Sequence, residues 1–142
     1  MFFTKRPKGM ALGLCLLGAT FTSGALAADA YTGKTNGVCA ATHVVACTND
    51  FTCMQGGAHT FDLPAFLFVD IKKDIVRAAD HKQEGVTSPI LNKEITENAV
   101  ILQGRENHRG WTIAIDREDG TFSLSSTGAD LTFMVIGNCI AL

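Results

Sequence analysis

The sequence predicts an all-β protein, a small antiparallel barrel or sandwich of about six to eight strands stapled by disulfides. Three observations point there. Short runs with large apolar residues at every second position recur along the chain, the period-two signature of a strand with one covered face. Turn residues punctuate those runs, most plainly at Asp119-Gly120. Four cysteines, Cys39, Cys47, Cys53 and Cys139, follow a leader-like N-terminus, as in small exported domains that reinforce a modest core with cross-links.

Met1 to Ala27 reads as a secretory signal. It has a basic start (Lys5, Arg6, Lys8), an apolar centre from Met10 through Leu17, and an Ala25-Leu26-Ala27 end that suits signal peptidase. Gly18, Thr20, Thr22, Ser23 and Gly24 interrupt the apolar run before it reaches the roughly 20 residues of a spanning helix. No stable membrane span is therefore expected after cleavage. Residues 28–142 form the expected mature chain, a single β domain in the periplasm or secreted. Cleavage removes three cations and no anion, leaving 9 Lys plus Arg against 14 Asp plus Glu, a net charge of −5. That sign argues against nucleic acid or anionic lipid as partner, since both need a basic surface.

An even number of cysteines in an oxidising compartment implies two disulfides, with three connectivities open. The expected pairing joins Cys47 to Cys53 across a short loop and Cys39 to Cys139, first strand to last. In the chain-entropy model the long bridge contributes about 4 to 5 kcal/mol and the short one roughly 2. An opposing reading takes Cys39, His43, Cys47 and His59 as a sulfur and imidazole cluster for metal binding or hydrolysis. Steps of four residues converge on a helix only. Val38 to Cys47 is rich in Val and Thr, and in extended chain those side chains lie roughly 13 Å apart. Disulfides are therefore the expectation, with no metal and no cofactor.

Phe61 to Ala79 contains a hairpin pattern: Ala65 to Asp70, a turn from Ile71 to Asp74, and a return through Ile75-Val76-Arg77. Pro64 suits a strand's start. A competing helix over Asp70 to Lys82 uses Ile71, Ile75, Ala78 and Ala79 at near-helical spacing; strands are preferred. His81 to Asn98 reads as a polar connection from which Ile90-Leu91 returns to the core. Ala99 to Gln103 is a short strand, followed by a charged loop, Arg105 to Arg109.

The second hairpin pattern joins Trp111-Thr112-Ile113-Ala114-Ile115-Asp116 to Thr121-Phe122-Ser123-Leu124-Ser125-Ser126. A two-residue turn sets Ile115 opposite Leu124 and a four-residue turn sets it opposite Phe122; both keep the apolar sets on one face, whereas a three-residue turn separates them. Asp70 corresponds to Asp116 when the two hairpins are compared. Leu131 to Ile136 is apolar on both faces, which reads as a central strand covered on both sides, and it leads through Gly137-Asn138 to Cys139.

No G-x-S-x-G, H-E-x-x-H, Walker or dinucleotide motif is present. His43, His59, His81 and His108 permit a triad only as most chains do. Asp116 and Asp119 lack the spaced oxygen ligands of a calcium loop and read as turn chemistry. The best candidate binding surface is Arg105, His108, Arg109 and Trp111, the composition of an interaction hot spot. Trp111 also shares parity with Ile113 and Ile115, which places it in the core.

The spacing Cys39-x7-Cys47-x5-Cys53, the Phe61 to Val69 run and the closing Gly137-x-Cys139 resemble a group of small uncharacterised exported proteins of Gram-negative bacteria. In outline the chain is also similar to the small periplasmic lysozyme inhibitors, a resemblance that implies a compact β-barrel with a disulfide to a C-terminal cysteine. Their binding-loop sequence is not apparent here, so no residue roles carry over. The functional expectation is a non-enzymatic binding module for a protein or cell-envelope ligand, with the Cys and His cluster as the alternative.

Overall fold

The alternating strands close on themselves. The computed structural model describes residues 29–78 and 86–142; the predicted signal segment and His81 lie outside the described residues. Nine strands are described: β1 (Gly37–Thr48), β2 (Cys53–Gly56), β3 (Phe66–Asp70), β4 (Ile75–Ala78), β5 (Thr87–Ile95), β6 (Ala99–Glu106), β7 (Arg109–Asp116), β8 (Thr121–Thr127) and β9 (Leu131–Ala141). All pairings are antiparallel, and β1 pairs with β9 to complete an eight-stranded barrel from β1 and β3 through β9. One edge of β1 serves two partners, β3 along Gly37 to Ala40 and β2 along Val44 to Cys47, so β2 lies outside the closed ring.

Both predicted hairpins form. Asp70 pairs with Ile75 across the first turn, and Ile115 pairs with Phe122 across the second, the register of a four-residue turn. The competing helix over Asp70 to Lys82 is excluded through Ala78, where β4 runs. The two turns share a device. Asp70 Oδ1 accepts from the Lys73 amide at 3.2 Å, and Asp116 Oδ1 accepts from the Glu118 and Asp119 amides at 2.7 and 3.4 Å. Asp119 Oδ1 in turn accepts from the Thr121 amide at 2.7 Å. These carboxylates cap their own turns, as short polar side chains do when they substitute for backbone partners.

Three expectations are corrected. The polar connection is interrupted by β5, which spans Thr87 to Ile95 and whose pairing with β6 shifts register between Ile90 and Asn92. A bulge there changes which face each residue meets, so Ile90 is buried while Leu91 is exposed. The charged loop Arg105 to Arg109 is a tight hairpin in which Glu106 pairs with Arg109 and only Asn107 and His108 turn. Finally, β9 is flanked by β1 and β8 but covered on one face alone: Val135 and Cys139 point inward, while Met134 and Ile136 are about half exposed, at 52% and 47%.

Inside, Val44, Val69, Val100, Leu102, Ile113, Ile115 and Phe122 are fully enclosed. Each such side chain contributes about 1.5 to 3 kcal/mol relative to exposure. Outside, β5, β6 and β8 present Asn92, Glu94, Gln103, Arg105, Ser123 and Ser125 to solvent. Among the described residues, no helix is long and apolar enough to cross a membrane.

Two disulfides join Cys39 to Cys139 and Cys47 to Cys53. The first links residues directly opposite each other in β1 and β9, 100 positions apart in sequence, at the seam that closes the barrel.

Candidate ligand cavity

The two ends of the barrel differ. At one end the segment ahead of β1 folds over the opening: the Ala141 amide donates to Asp29 O, the Leu142 amide to Asn36 O, and the Ile71 amide to Asn36 Oδ1. Tyr31, fully buried, fills this end against Gly37, where a Cβ would lie 2.5 Å from its ring. Burial pushes the Tyr31 hydroxyl up to about 12, because the phenolate would lose its hydration.

At the other end the described residues leave the barrel open. A cavity of about 330 Å³ lies there, walled by Val44 of β1, Val76 of β4, Ile113 of β7, Leu124 of β8, Val135 of β9 and Leu67 of β3. Trp111 forms one side of it and is 9% exposed. Its indole is fixed by a hydrogen bond from Nε1 to Ser88 Oγ at 2.7 Å, and Ser88 Oγ donates in turn to Arg105 O at 3.1 Å. Gly104, paired with Trp111 across β6 and β7, leaves the room: a Cβ there would fall 2.2 Å from the indole and from Pro89 O.

The mouth carries the polar groups. Glu106, Asn107 and Arg109 line it, with Ser126 from β8. Arg109 is strapped across toward β9, where Nη1 donates to Leu131 O at 3.3 Å, Nη2 lies 3.5 Å from Asp130 Oδ1, and the guanidinium sits 5.5 Å from the Phe133 ring centre. Glu106, Asn107 and Ser126 make no side-chain hydrogen bond or ion pair within the described residues.

Of the four residues singled out from sequence, the structure brings Arg109 and Trp111 to the cavity. Arg105 and His108 are exposed, and β6 parity turns Arg105 to the outer surface. Sequence reasoning missed Glu106 and Ser126. Both were accessible by parity, since Ser126 follows Phe122 and Leu124 at steps of two, and Glu106 follows Val100 and Leu102. The Cys and His alternative is corrected: Cys39 and Cys47 are consumed in different disulfides, while His43 on β1 and His59 in the 3-10 turn Ala58–Phe61 are both exposed. Among the described residues no group of three or more His, Cys, Asp or Glu is arranged to hold a metal ion.

No family model, curated protein or solved structure matches this chain. The cavity is therefore read from its own chemistry. Its walls offer dispersion and desolvation, and its mouth offers a hydroxyl, an amide and charges.

Proposed function

We propose that this protein is an exported, non-enzymatic binding module of the periplasm or extracellular space, and that its ligand enters the open end of the barrel. One observation carries the reading: among the described residues an apolar cavity of about 330 Å³ is open at the mouth, while the opposite end of the barrel is plugged by Tyr31. An eight-stranded barrel is just wide enough either to be filled by side chains or to hold one small ligand. Here one half is filled and the other is not. Cavities of this size, with apolar walls and a few convergent polar groups, are the usual form of small-ligand sites. The two disulfides and the apolar leader support export to an oxidising compartment.

The probe for this reading is 1-naphthylamine, a dye uncharged at neutral pH that brightens in apolar surroundings and is small enough for the cavity. Saturable binding at one dye per chain is expected, with quenching of Trp111, the sole tryptophan. Ser126→Phe, which fills the cavity from its mouth, should abolish that binding while leaving the fold intact by circular dichroism. No saturable binding by the oxidised, folded protein, or unchanged binding by Ser126→Phe, would refute it.

A further inference from the structure

We infer that the cavity selects a small uncharged amphiphile, an apolar body ending in a hydroxyl or carbonyl, and rejects the matching carboxylate. This rests on the mouth of the barrel being the binding site.

Size sets the body. A dry cavity of about 150 Å³ takes benzene, so about twice that volume takes on the order of a dozen non-hydrogen atoms. The deep walls, Val44, Val76, Ile113, Leu124 and Val135, are all aliphatic. The indole N–H of Trp111 is already spent on Ser88, whose hydroxyl is itself spent on Arg105 O. The inner part of a ligand therefore meets no free donor from that pair, and a polar group placed there would lose its hydration without replacement.

Charge sets the head. Among the described residues, Arg109 is the one cation lining the cavity, and it is engaged by Asp130, by Leu131 O and by the Phe133 ring. Glu106 lines the same mouth with no partner of its own within the described residues. A carboxylate head would thus meet a cation already paired with Asp130 and the Glu106 carboxylate. A hydroxyl or carbonyl head meets no such opposition and finds the Ser126 hydroxyl, which is half-buried, lines the cavity and is unpaired within the described residues. A hydroxyl of this kind both donates and accepts.

The test is a titration of Trp111 fluorescence with 1-octanol and octanoate, ligands of one chain length. Octanol is expected to bind about tenfold more tightly than octanoate at low salt, and the gap should narrow in 1 M NaCl, where charges are screened beyond about 3 Å. Glu106→Gln should tighten octanoate severalfold and leave octanol unchanged. Ser126→Ala should weaken octanol about three- to tenfold, the range of one neutral hydrogen bond, without altering binding of naphthalene, which has no head group. Octanoate binding as tightly as octanol, or an octanoate affinity indifferent to Glu106→Gln, would overturn the selectivity while leaving the cavity as a site. If octanol, naphthalene and the naphthylamine dye all fail to bind the folded protein, the site itself is wrong and the selectivity falls with it.

Discussion

Tyr31 is the largest fully buried side chain in the barrel, and its hydroxyl finds no hydrogen-bond partner within the described residues. An enclosed, unsatisfied hydroxyl costs about 1 to 3 kcal/mol, so Tyr31→Phe should stabilise the protein by about 1 kcal/mol in urea denaturation. Alkaline pH offers an independent check. The folded phenol is pushed up to about 12 from an ordinary 10, so the folded state holds its proton where the unfolded state has lost it. Below pH 10 both states keep the proton and stability is unaffected; between pH 10 and 12 the unfolded state alone ionises, so stability falls as pH rises through that window. Tyr31 is the only tyrosine in the chain, so ultraviolet difference absorbance follows it without overlap. A tyrosinate midpoint near 10 in the folded protein would show the ring to be solvated. The Trp111 and Ser88 pair makes the opposite case. Ser88→Ala leaves a buried indole N–H without its acceptor, and a loss of about 1 to 3 kcal/mol is expected, with a shift in Trp111 emission. Unchanged stability and emission would mean that the indole is not held by that bond.

The elements legible in the sequence are those in which alternation runs unbroken into a turn with its own chemistry. Asp70 and Asp116 each end a strand and cap the turn that follows, which is why the two hairpins align with each other on residue pattern alone. Gly120 closes the second turn at φ 76°, and a Cβ there would lie 2.2 Å from Cys139 O. Gly120→Ala therefore combines a left-handed backbone, costing about 1 to 2 kcal/mol, with a backbone clash, and a total loss above about 2 kcal/mol is expected. Gly110→Ala is the control, since nothing lies within 4 Å of its Cβ position, and its effect should stay within about 0.5 kcal/mol. Equal thermal shifts for the two variants would contradict this account of the turn. β5 is illegible for a local reason. Pro89 reads as a break, the bulge after Ile90 spoils the parity, Asn92 and Glu94 are polar residues of the outer face, and Lys93 between them reaches Asp74 at 2.7 Å. The hairpin at Asn107 is hidden likewise, because its left-handed turn at φ 53° needs no glycine when asparagine supplies it.

At the scale of the molecule, closure is legible in the sequence and the cavity is not. Cys39 and Cys139 can be paired from an even cysteine count and their places near the first and last strands, and the structure sets them opposite each other. Parity says which side chains point inward, but not which inward positions leave space. That depends on how eight strands from distant parts of the chain share one interior, and on a plug, Tyr31, that fills only one end. The same asymmetry separates the two disulfides. Cys39–Cys139 spans 100 positions and locks the β1 to β9 seam, whereas Cys47–Cys53 spans 6 and ties β2, which lies outside the closed ring. Replacing Cys39 and Cys139 together with alanine should cost about 4 to 5 kcal/mol, and replacing Cys47 and Cys53 roughly 2. Against a total of roughly 5 to 15 kcal/mol for a domain, the first loss approaches global unfolding and the second does not. The cavity walls include Val44 of β1 and Val135 of β9, so the seam variant should also lose binding of the naphthylamine dye at temperatures where the Cys47/Cys53 variant retains it. Urea denaturation of the two double variants, with dye titration beside it, decides the point: equal losses, or a larger one for the short bridge, would show that the barrel does not depend on its covalent seam.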